Sequence, residues 1–420
     1  MSNIVRSRLA DGVVFNTVRD SRFKTMEIEA SIILPLSAES APVNALLAFV
    51  LSRTCREYPT HRLLCKKLSG LYGAELSASV AKAGDRHIIG LCARGIDDRY
   101  ALDGESIAEQ LSLLLCRVIF DPNITDGGFP DDETEQSRRQ LLDLIDSEFN
   151  EKRTYAISKM IGIMCADETF GVKRYGTAEQ VKAVTSAQLY EAWQSMLKTA
   201  EFQIMYVGDS APDKAVSVFA KAFESVGRAP VSVSTQVIRQ ADGVKRVTEE
   251  MELSQSKLVM GFRAGTALPE DVTAVRLMCA VLGGTANSKL FCNVREKQSL
   301  CYYCAARYDK YKGLVLIDSG VEADNAERLE AGIMKEIEDM QNGNITDFEL
   351  EATKLAVINA YYSSNDTTSG INAWYSSQMF DGAMRSIDEM AAKVNAVTKE
   401  EVVEAAKRLS LDTVYLLTGR

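Results

Sequence analysis

Arg295 and Tyr302, separated by seven positions, are the side chains of this sequence most suited to binding a polar ligand. The guanidinium of arginine is permanently charged and carries several N–H donors. A tyrosine hydroxyl can donate to a developing oxyanion, where a preorganised donor contributes roughly 3–4 kcal/mol to transition-state stabilisation. On spacing alone, an arginine at a helix C-terminus and a half-buried strand tyrosine explain the pair better. The surrounding sequence therefore has to decide between the two interpretations.

Cys301 and Cys304 frame Tyr302 as a C-x-x-C motif. A redox or zinc role for this motif requires a helix start or a second ligand pair, and neither is present. The motif lies in a strand-like run, in which residues three apart face opposite sides of the sheet. We therefore predict a plain strand. The nine cysteines are an odd number scattered in apolar segments, which favours reduced, buried thiols over a disulfide framework.

Histidine is almost absent, since the chain has only His61 and His87. A zinc peptidase helix of the H-x-x-E-H type carries two histidines and a glutamate on one face, and neither histidine has such a partner at helical spacing. We expect His61 to begin a helix as an exposed side chain and His87 to lie in a strand. The sequence predicts no metal site and no zinc-dependent hydrolysis by this chain alone. A self-sufficient peptidase with unrecognised ligands is the alternative, and it predicts stoichiometric zinc.

The overall charge excludes two classes of partner. The formal net charge is -10, whereas nucleic acids and anionic membranes both attract clustered lysine and arginine. No apolar run approaches the roughly 20 residues that a membrane helix needs. The first eight residues contain charges without a following apolar region, so they do not form a secretory signal. We expect a cytoplasmic protein that binds neither nucleic acid nor membrane.

Strand-like and helical segments are grouped in blocks along the chain. Residues 13–18 and 26–36 read as strands, 41–56 and 60–71 as helices, and 131–166 as a long helical region. The same order returns in the second half of the chain. Blocks of this kind are typical of the α+β class, in which antiparallel-rich sheets and helices form sandwich domains. The edges of such sheets are available for a peptide to join.

A repeated segment indicates that the chain contains two similar domains. Val181–Thr185 returns as Val394–Thr398, and each copy leads through a helix into an apolar strand. Internal similarity of this kind indicates a duplicated unit, and a polar stretch without periodicity separates the copies. The predicted parts are an N-terminal domain at 1–226, a linker at 227–246 and a C-terminal domain at 247–420.

The twenty residues Gly283–Tyr302 read GGTANSKLFCNVREKQSLCY. This stretch resembles the second domain of pitrilysin, insulin-degrading enzyme and mitochondrial processing peptidase relatives, in which a Gly-Gly turn leads to Ser-x-Leu-Phe, Val-Arg-Glu and Leu-x-Tyr. The segment from Tyr175 to Thr185 also looks like this inverzincin family. The turn Asn150–Ala156 is similar to that of the zinc-free, YmfF-like members. The resemblance extends, through the duplication, to nearly the whole chain.

The resemblance implies a clam-shell of two homologous metallopeptidase-like (LuxS-type) domains, the first with a degenerate zinc site. Ala48–Ser52 stands where H-x-x-E-H is expected and offers no ligand side chain. Asp146 and Glu148, near the position of the distal zinc ligand, are then expected to be solvated helix acids. In the family, the arginine and tyrosine that match Arg295 and Tyr302 reach the substrate carbonyl oxygen at the zinc site.

Two functional hypotheses follow from this resemblance. In the first, the chain is the non-catalytic, substrate-binding subunit of a heterodimeric zinc metallopeptidase, and it supplies Arg295 and Tyr302 in trans to the H-x-x-E-H site of a homologous partner. The substrate is then a peptide, the zinc belongs to the partner, and a homodimer is one form open to the isolated chain. In the second hypothesis, the chain is an inactive scaffold or peptide-binding protein of the same fold.

Overall fold

Eleven strands form two separate sheets in the computed structural model, which describes residues 4–268 and 270–419. The strands of the first sheet are β1 (Val5–Ala10), β2 (Val13–Arg19), β3 (Thr25–Pro35), β4 (Glu75–Ala83), β5 (Arg86–Ile96) and β6 (Glu201–Gly208). Those of the second sheet are β7 (Lys245–Glu250), β8 (Ser256–Arg263), β9 (Tyr303–Asp309), β10 (Leu314–Val321) and β11 (Ser410–Thr418).

The two sheets share one topology. The first has the strand order β1-β2-β6-β3-β5-β4 and the second β7-β11-β8-β10-β9. The pairs β2–β6 and β7–β11 are parallel, and the pairs that follow them in each sheet are antiparallel. The second sheet therefore repeats five strands of the first, which has β1 as an additional edge strand. The predicted α+β class with two similar sandwiches is confirmed.

Fourteen α-helices flank the sheets in the described part of the chain. They are α1 (Ser40–Leu51), α2 (His61–Gly70), α3 (Ile107–Phe120), α4 (Asp131–Asn150), α5 (Lys152–Met164), α6 (Ala178–Ala183), α7 (Ser186–Thr199), α8 (Asp213–Glu224), α9 (Val272–Gly283), α10 (Ala326–Gln341), α11 (Asp347–Ser363), α12 (Thr368–Ser376), α13 (Ile387–Ala396) and α14 (Lys399–Lys407). A π-helical segment, Leu290–Lys297, lies between α9 and β9. None of these helices is long and apolar enough to cross a bilayer.

Capping residues explain where the repeated helices begin. Thr185 and Thr398, which close the repeated sequence segment, are the N-caps of α7 and α14. Each threonine forms a capping box, with Gln188 or Glu401 at the third helical position. A capping box satisfies two of the backbone N–H groups that a helix start otherwise leaves unpaired. The sequence itself contains this signal, because threonine is a preferred N-cap residue.

Each sheet packs one face against its own apolar core. In the first core, Ile28 and Ile32 of β3 lie with Leu46 of α1, and all three are fully buried. In the second, Met260 of β8 packs with buried residues of α9 such as Leu282. Full burial of an aliphatic side chain contributes roughly 1.5–3 kcal/mol, so each sheet has the material for an independent core.

The chain forms two compact units that are not contiguous in sequence. The first unit comprises the chain up to Asp146, Val172–Ser234 and Ser364–Met384. The second comprises Ser147–Gly171, Thr235–Ser363 and the chain from Arg385 onwards. One of the three passages from the first unit to the second lies between Ser234 and Thr235, within the predicted linker at 227–246. The units differ from the predicted domains 1–226 and 247–420 because two segments are exchanged.

The exchanged segments contain equivalent helices of the repeat. Helix α5, from the first half of the sequence, packs on β8 and β11 of the second sheet. Helix α12, from the second half, packs on β3 and β6 of the first sheet. The helical region predicted at 131–166 accordingly breaks in two, and the carboxylate of Glu151 caps α5 by accepting hydrogen bonds from the N–H groups of Arg153 and Thr154.

Each exchanged helix also binds a buried carboxylate of the sheet that it covers. Arg153 of α5 donates to Asp318 of β10, and its guanidinium lies 4.3 Å from the centre of the Tyr303 ring. In the first unit, Ser369 Oγ donates to Glu27 Oε2 at 2.5 Å and Asn372 Nδ2 donates to Glu27 Oε1 at 2.6 Å. Buried acids need such partners, so these contacts specify which sheet each helix covers.

A buried ion network further fixes the exchanged segment 147–171 in the second unit. Glu168 of this segment pairs with Arg263 (Oε1 to Nη1, 2.8 Å) and with Lys312 (Oε2 to Nζ, 2.7 Å). Arg263 also donates through Nε to Asp412 Oδ2 at 2.8 Å. The side chains of Glu168 and Arg263 are each 2% exposed and that of Lys312 is 0% exposed. Four charges are thus paired away from water.

Candidate functional site

Arg295 and Tyr302 lie side by side in the second unit. Arg295 is in the last turn of the π-helical segment, and its Nε donates a hydrogen bond to the carbonyl oxygen of Tyr302 at 2.8 Å. Between them, Ser299 adopts a left-handed conformation with φ of 51°, which residues other than glycine seldom adopt. The next residue, Leu300, is buried in the core. The turn at Ser299 and the anchor at Leu300 bring the two residues together.

The guanidinium of Arg295 is partly available to a ligand. Its side chain is 36% exposed, and Nη1 lies 3.1 Å from Glu296 Oε1. The guanidinium carbon is 4.6 Å from the centre of the Phe291 ring, at a distance typical of a cation–π contact. An arginine side chain has five N–H donors. The contacts with Glu296 and the Tyr302 carbonyl therefore leave donors for a substrate carbonyl.

The phenol of Tyr302 is exposed and held by a carboxylate. The residue is 58% exposed, and its hydroxyl donates to Glu322 Oε1 at 2.5 Å. This hydrogen bond, together with the negative charge of Glu322, raises the pKa of Tyr302 above its ordinary value. The phenol is therefore protonated at neutral pH and acts as a donor.

Glu322 was not identified from the sequence, although strand pairing contains the signal for it. Tyr303 of β9 is the register partner of Gly320 of β10, and the N–H of Tyr302 donates to the Gly320 carbonyl at 2.9 Å. Antiparallel pairing therefore places residues just before β9 beside residues just after β10. A sequence alone does not give this register, because many alignments of two short strands satisfy the apolar pattern.

The pair faces an open depression in the surface of the second unit. Its volume is about 390 Å³. One cation, two carboxylates and several polar side chains line it together with Leu300, a lining suited to the polar backbone of a peptide. The lining residues are Arg295, Glu296, Ser299, Leu300, Cys301, Tyr302, Glu322 and Asn325.

The prediction that Cys301 and Cys304 face opposite sides of a strand is wrong. Strand β9 begins only at Tyr303, so Cys301 still belongs to the turn that starts at Ser299. The side chains of Cys301 and Cys304 are hydrogen-bonded to each other. Cys304 is buried, whereas Cys301 is half-buried and lines the depression. Strand alternation does not apply across the turn, which is why the two thiols meet.

The first unit offers no zinc ligands where the family motif is expected. Helix α1 is buried along most of its length, and Ala48, Phe49, Val50 and Leu51 belong to the apolar core. Asp146 is exposed and Glu148 is half-buried. Within residues 4–268 and 270–419, no three or more His, Cys, Asp or Glu side chains are grouped as a metal site. The donor set of α1 does not fit a zinc ion.

The two histidines have separate structural roles. His61 is the exposed first residue of α2, after the N-cap Thr60, as predicted. Its Nε2 lies 3.5 Å from Cys65 Sγ. His87 lies in β5, as predicted, where it is fully buried and donates through Nε2 to the carbonyl oxygen of Arg174 at 2.8 Å. Burial lowers the pKa of His87 to about 4.

Replacing His87 by glutamine is expected to weaken the dependence of stability on pH. The unfolded chain takes up a proton near pH 6.5, whereas the folded chain keeps His87 neutral down to a pH of about 4. Stability is therefore fully present above the unfolded pKa and falls with pH, by roughly 2 kcal/mol between about pH 7 and pH 5. Glutamine retains a donor for the Arg174 carbonyl but does not titrate.

Urea unfolding of the wild type and His87→Gln at both pH values measures this difference. His61→Gln, at the only other histidine, is the substitution control. The assignment is contradicted if the wild type and His87→Gln lose equal free energy of unfolding on acidification.

Comparison with known sequences identifies relatives over nearly the whole chain. Residues 183–357 match the family model described as the peptidase M16 inactive domain. The chain is 29% identical over 409 residues to the probable inactive metalloprotease YmfF of Bacillus subtilis, and the match covers 97% of this chain and 96% of that protein. It is 27% identical over 168 residues to the uncharacterized zinc protease YmxG of the same organism, covering 39% of this chain and 41% of that protein.

Solved structures share the fold over the full length. A conserved protein from Enterococcus faecalis V583 superimposes with a TM-score of 0.90 at 26% identity, covering 100% of this chain and 99% of that chain. A peptidase M16 inactive domain from Pseudomonas fluorescens superimposes with a TM-score of 0.79 at 17% identity, covering 100% and 98%. The second likeness is one of fold alone. The family model, whose match spans Gly283–Tyr302, and the sequence relatives support the resemblance stated for that segment.

Proposed function

We propose that this chain is the non-catalytic, substrate-binding subunit of a heterodimeric zinc metallopeptidase. The premise is that it belongs to the pitrilysin-type M16 peptidase family, as a member without the H-x-x-E-H motif. A homologous partner carries the motif and the zinc. This chain supplies Arg295 and Tyr302 to the peptide. The observation that supports the proposal is the juxtaposition of these two residues at an open depression, where Arg295 Nε donates a 2.8 Å hydrogen bond to the main-chain carbonyl oxygen of Tyr302.

The two side chains have complementary tasks in this proposal. The guanidinium of Arg295 holds a substrate carbonyl by charge-assisted hydrogen bonds, which are stronger than neutral ones. The protonated phenol of Tyr302 donates to the oxygen that becomes negative during attack. Glu322, which accepts the Tyr302 hydroxyl at 2.5 Å, positions the phenol until a substrate oxygen competes for its proton. Hydrolysis itself is carried out by the partner.

An edge strand continues directly from Tyr302. Strand β9 is the last strand in the order β7-β11-β8-β10-β9, so it pairs with β10 on one side only within the described sheet. An extended peptide can add to such an edge through main-chain hydrogen bonds. A peptide bound along β9 would bring its carbonyl groups next to the phenol of Tyr302. This arrangement supports a peptide as the substrate.

The alternative is an inactive scaffold or peptide-binding protein that makes no catalytic contribution. It is favoured by the partners that both side chains already have. The Tyr302 hydroxyl is held by Glu322 at 2.5 Å, and Arg295 Nη1 lies 3.1 Å from Glu296 Oε1. In this case the depression binds peptide, or nothing, without affecting turnover by another subunit.

Reconstitution with a homologous H-x-x-E-H subunit from the same genome tests the proposal. We expect the two chains to co-purify, and the mixture to cleave a library of fluorogenic peptides that neither chain cleaves alone. Light scattering of each chain and of the mixture gives the assembly state, including any homodimer of this chain. Equal cleavage by the partner alone would favour the scaffold. Cleavage by this chain alone, with stoichiometric zinc, would contradict both the subunit hypothesis and the scaffold hypothesis.

A further inference from the structure

Two thiols in contact lie beside the candidate site, and the proposed function makes no use of them. Cys301 lines the depression and is half-buried, whereas Cys304 is 7% exposed and belongs to the second core. Each side chain is the hydrogen-bond partner of the other. One sulfur can thus be reached from solvent, and the second lies directly behind it.

The surroundings make the two thiols unequal. The hydrogen bond from Cys304 and the nearby positive charge of Arg295 lower the pKa of Cys301, although burial opposes this effect. The same hydrogen bond, followed by burial, raises the pKa of Cys304. The thiolate is the nucleophilic form of cysteine. Cys301 is therefore the sulfur that attacks, and Cys304 remains a protonated donor until it reacts.

We propose that Cys301 and Cys304 form an oxidisable dithiol that a hydroperoxide converts into an intramolecular disulfide. The Cys301 thiolate attacks the terminal oxygen of the hydroperoxide, the O–O bond breaks, and an alcohol (or water, from hydrogen peroxide) leaves after taking up a proton. Cys301 becomes a sulfenic acid. The Cys304 sulfur then attacks the Cys301 sulfur, the S–O bond breaks, and hydroxide leaves with the Cys304 proton as water. Two thiols lose two electrons, which reduce the hydroperoxide.

This dithiol goes beyond the proposed function and does not depend on it. Its reaction does change the surroundings of the candidate site, because Tyr302 lies inside the ring that the disulfide closes and the Cys301 sulfur that lines the depression is no longer a free thiol. Other cysteines lie apart from this arrangement. Cys65 is exposed next to His61, and Cys116 and Cys279 are buried thiols whose pKa is raised by burial. Cys65 provides an internal reference, because it is an exposed thiol without a second cysteine in the contacts described above.

Peptide mapping of the wild-type protein after mild oxidation tests the proposal. Trypsin cleaves after Lys297 and Arg307 and releases peptide 298–307, which contains Cys301, Cys304 and no other cysteine. The reduced protein is titrated with hydrogen peroxide, remaining thiols are alkylated, and the peptides are weighed. We expect peptide 298–307 to lose two hydrogen atoms and escape alkylation at a lower peroxide dose than Cys65 needs to react. Full alkylation of this peptide at doses that oxidise Cys65 would overturn the proposal.

Single substitutions test the order of the two steps. Cys304→Ser is expected to stop the reaction at the Cys301 sulfenic acid, which dimedone traps, and Cys301→Ser is expected to leave Cys304 unoxidised. Cys65→Ser is the control and should leave the disulfide in peptide 298–307 unchanged. Dimedone on Cys304 of Cys301→Ser, at the dose that oxidises the wild type, contradicts the assigned attacking sulfur. Circular dichroism of each variant reports folding. If a variant does not fold, the peptide map of the wild-type protein is the measurement that tests the proposal.

Discussion

Replacing Tyr302 by phenylalanine is expected to lower the kcat of the reconstituted peptidase by a factor of about 10²–10³, the usual cost of removing one oxyanion donor. The change removes only the hydroxyl, whose partner Glu322 is exposed to water and can be solvated. Assembly with the partner is expected to be unchanged. Steady-state cleavage of a fluorogenic peptide gives kcat and KM, and gel filtration reports assembly.

Tyr362→Phe is the matched control for this substitution. Tyr362 belongs to the same unit, is 41% exposed, and donates its hydroxyl to a carboxylate, Asp388, at 2.8 Å. Its loss should leave turnover unchanged. If Tyr302→Phe and Tyr362→Phe retain the same kcat, the phenol has no catalytic contribution and the scaffold hypothesis is favoured.

Arg295→Ala extends the same test to the cation. The substitution removes the charge and the hydrogen bond to the Tyr302 carbonyl, so kcat/KM is expected to fall by about 10²-fold, in proportion to a charged hydrogen bond worth about 3 kcal/mol. Arg246→Ala is the control, because Arg246 is an exposed arginine of the same unit paired with Glu330 at 2.7 Å. A fall of equal size in both variants would indicate a general loss of charge rather than a specific contact.

Replacing Lys312 by methionine is expected to lower the free energy of unfolding of the second unit by about 3–5 kcal/mol, the cost of breaking a buried ion pair from one side. Methionine fills the space of the lysine stem, but Glu168 keeps a buried charge with Arg263 as its remaining ionic partner among the contacts described above. Burial opposes ionisation of Glu168, and the hydrogen bonds from Lys312 and Arg263 outweigh it and lower its pKa. Urea unfolding followed by circular dichroism measures the loss.

Lys335→Met is the matched control that distinguishes the effect of losing a buried ion pair from that of losing an exposed one. Lys335 Nζ lies 2.8 Å from Asp339 Oδ1, almost the distance of the Lys312–Glu168 pair, but its side chain is 60% exposed. Exposed pairs contribute roughly 0–1 kcal/mol. Similar losses in Lys312→Met and Lys335→Met would refute the network as a determinant of stability. Adding Glu168→Gln to Lys312→Met should cost less than the sum of the two single changes, because the charges share one network.

The predictable part of this molecule is local in sequence. Alternation and apolar content predict β2 and β3 within a residue or two. Thr185 and Thr398 are residues of a type preferred at helix N-caps, and they cap α7 and α14. The pairing of Arg295 with Tyr302 is implied by the resemblance of Gly283–Tyr302 rather than by their spacing, and one turn at Ser299 separates the two residues in the structure. A helix period also suffices to exclude a metal-binding face on α1.

The contacts that were missed depend on residues distant in sequence or on a single backbone angle. Glu322 reaches Tyr302 only through the register of β9 and β10. Asn372 and Glu27 are 345 positions apart, and no local pattern links them. The meeting of Cys301 and Cys304 requires knowing that β9 starts at Tyr303 rather than two residues earlier. Periodicity does not contain this information.

The exchange of α5 and α12 has a consequence for how the polypeptide is made. During synthesis the strands of the first sheet leave the ribosome long before Ser369 and Asn372. Glu27 therefore lacks these two hydrogen-bond partners until most of the chain has been synthesised. By contrast, α5 is synthesised before the strands of the second sheet, which it covers. Neither half of the gene therefore encodes a complete unit, and a break between the halves would leave each sheet dependent on a helix carried by the other fragment.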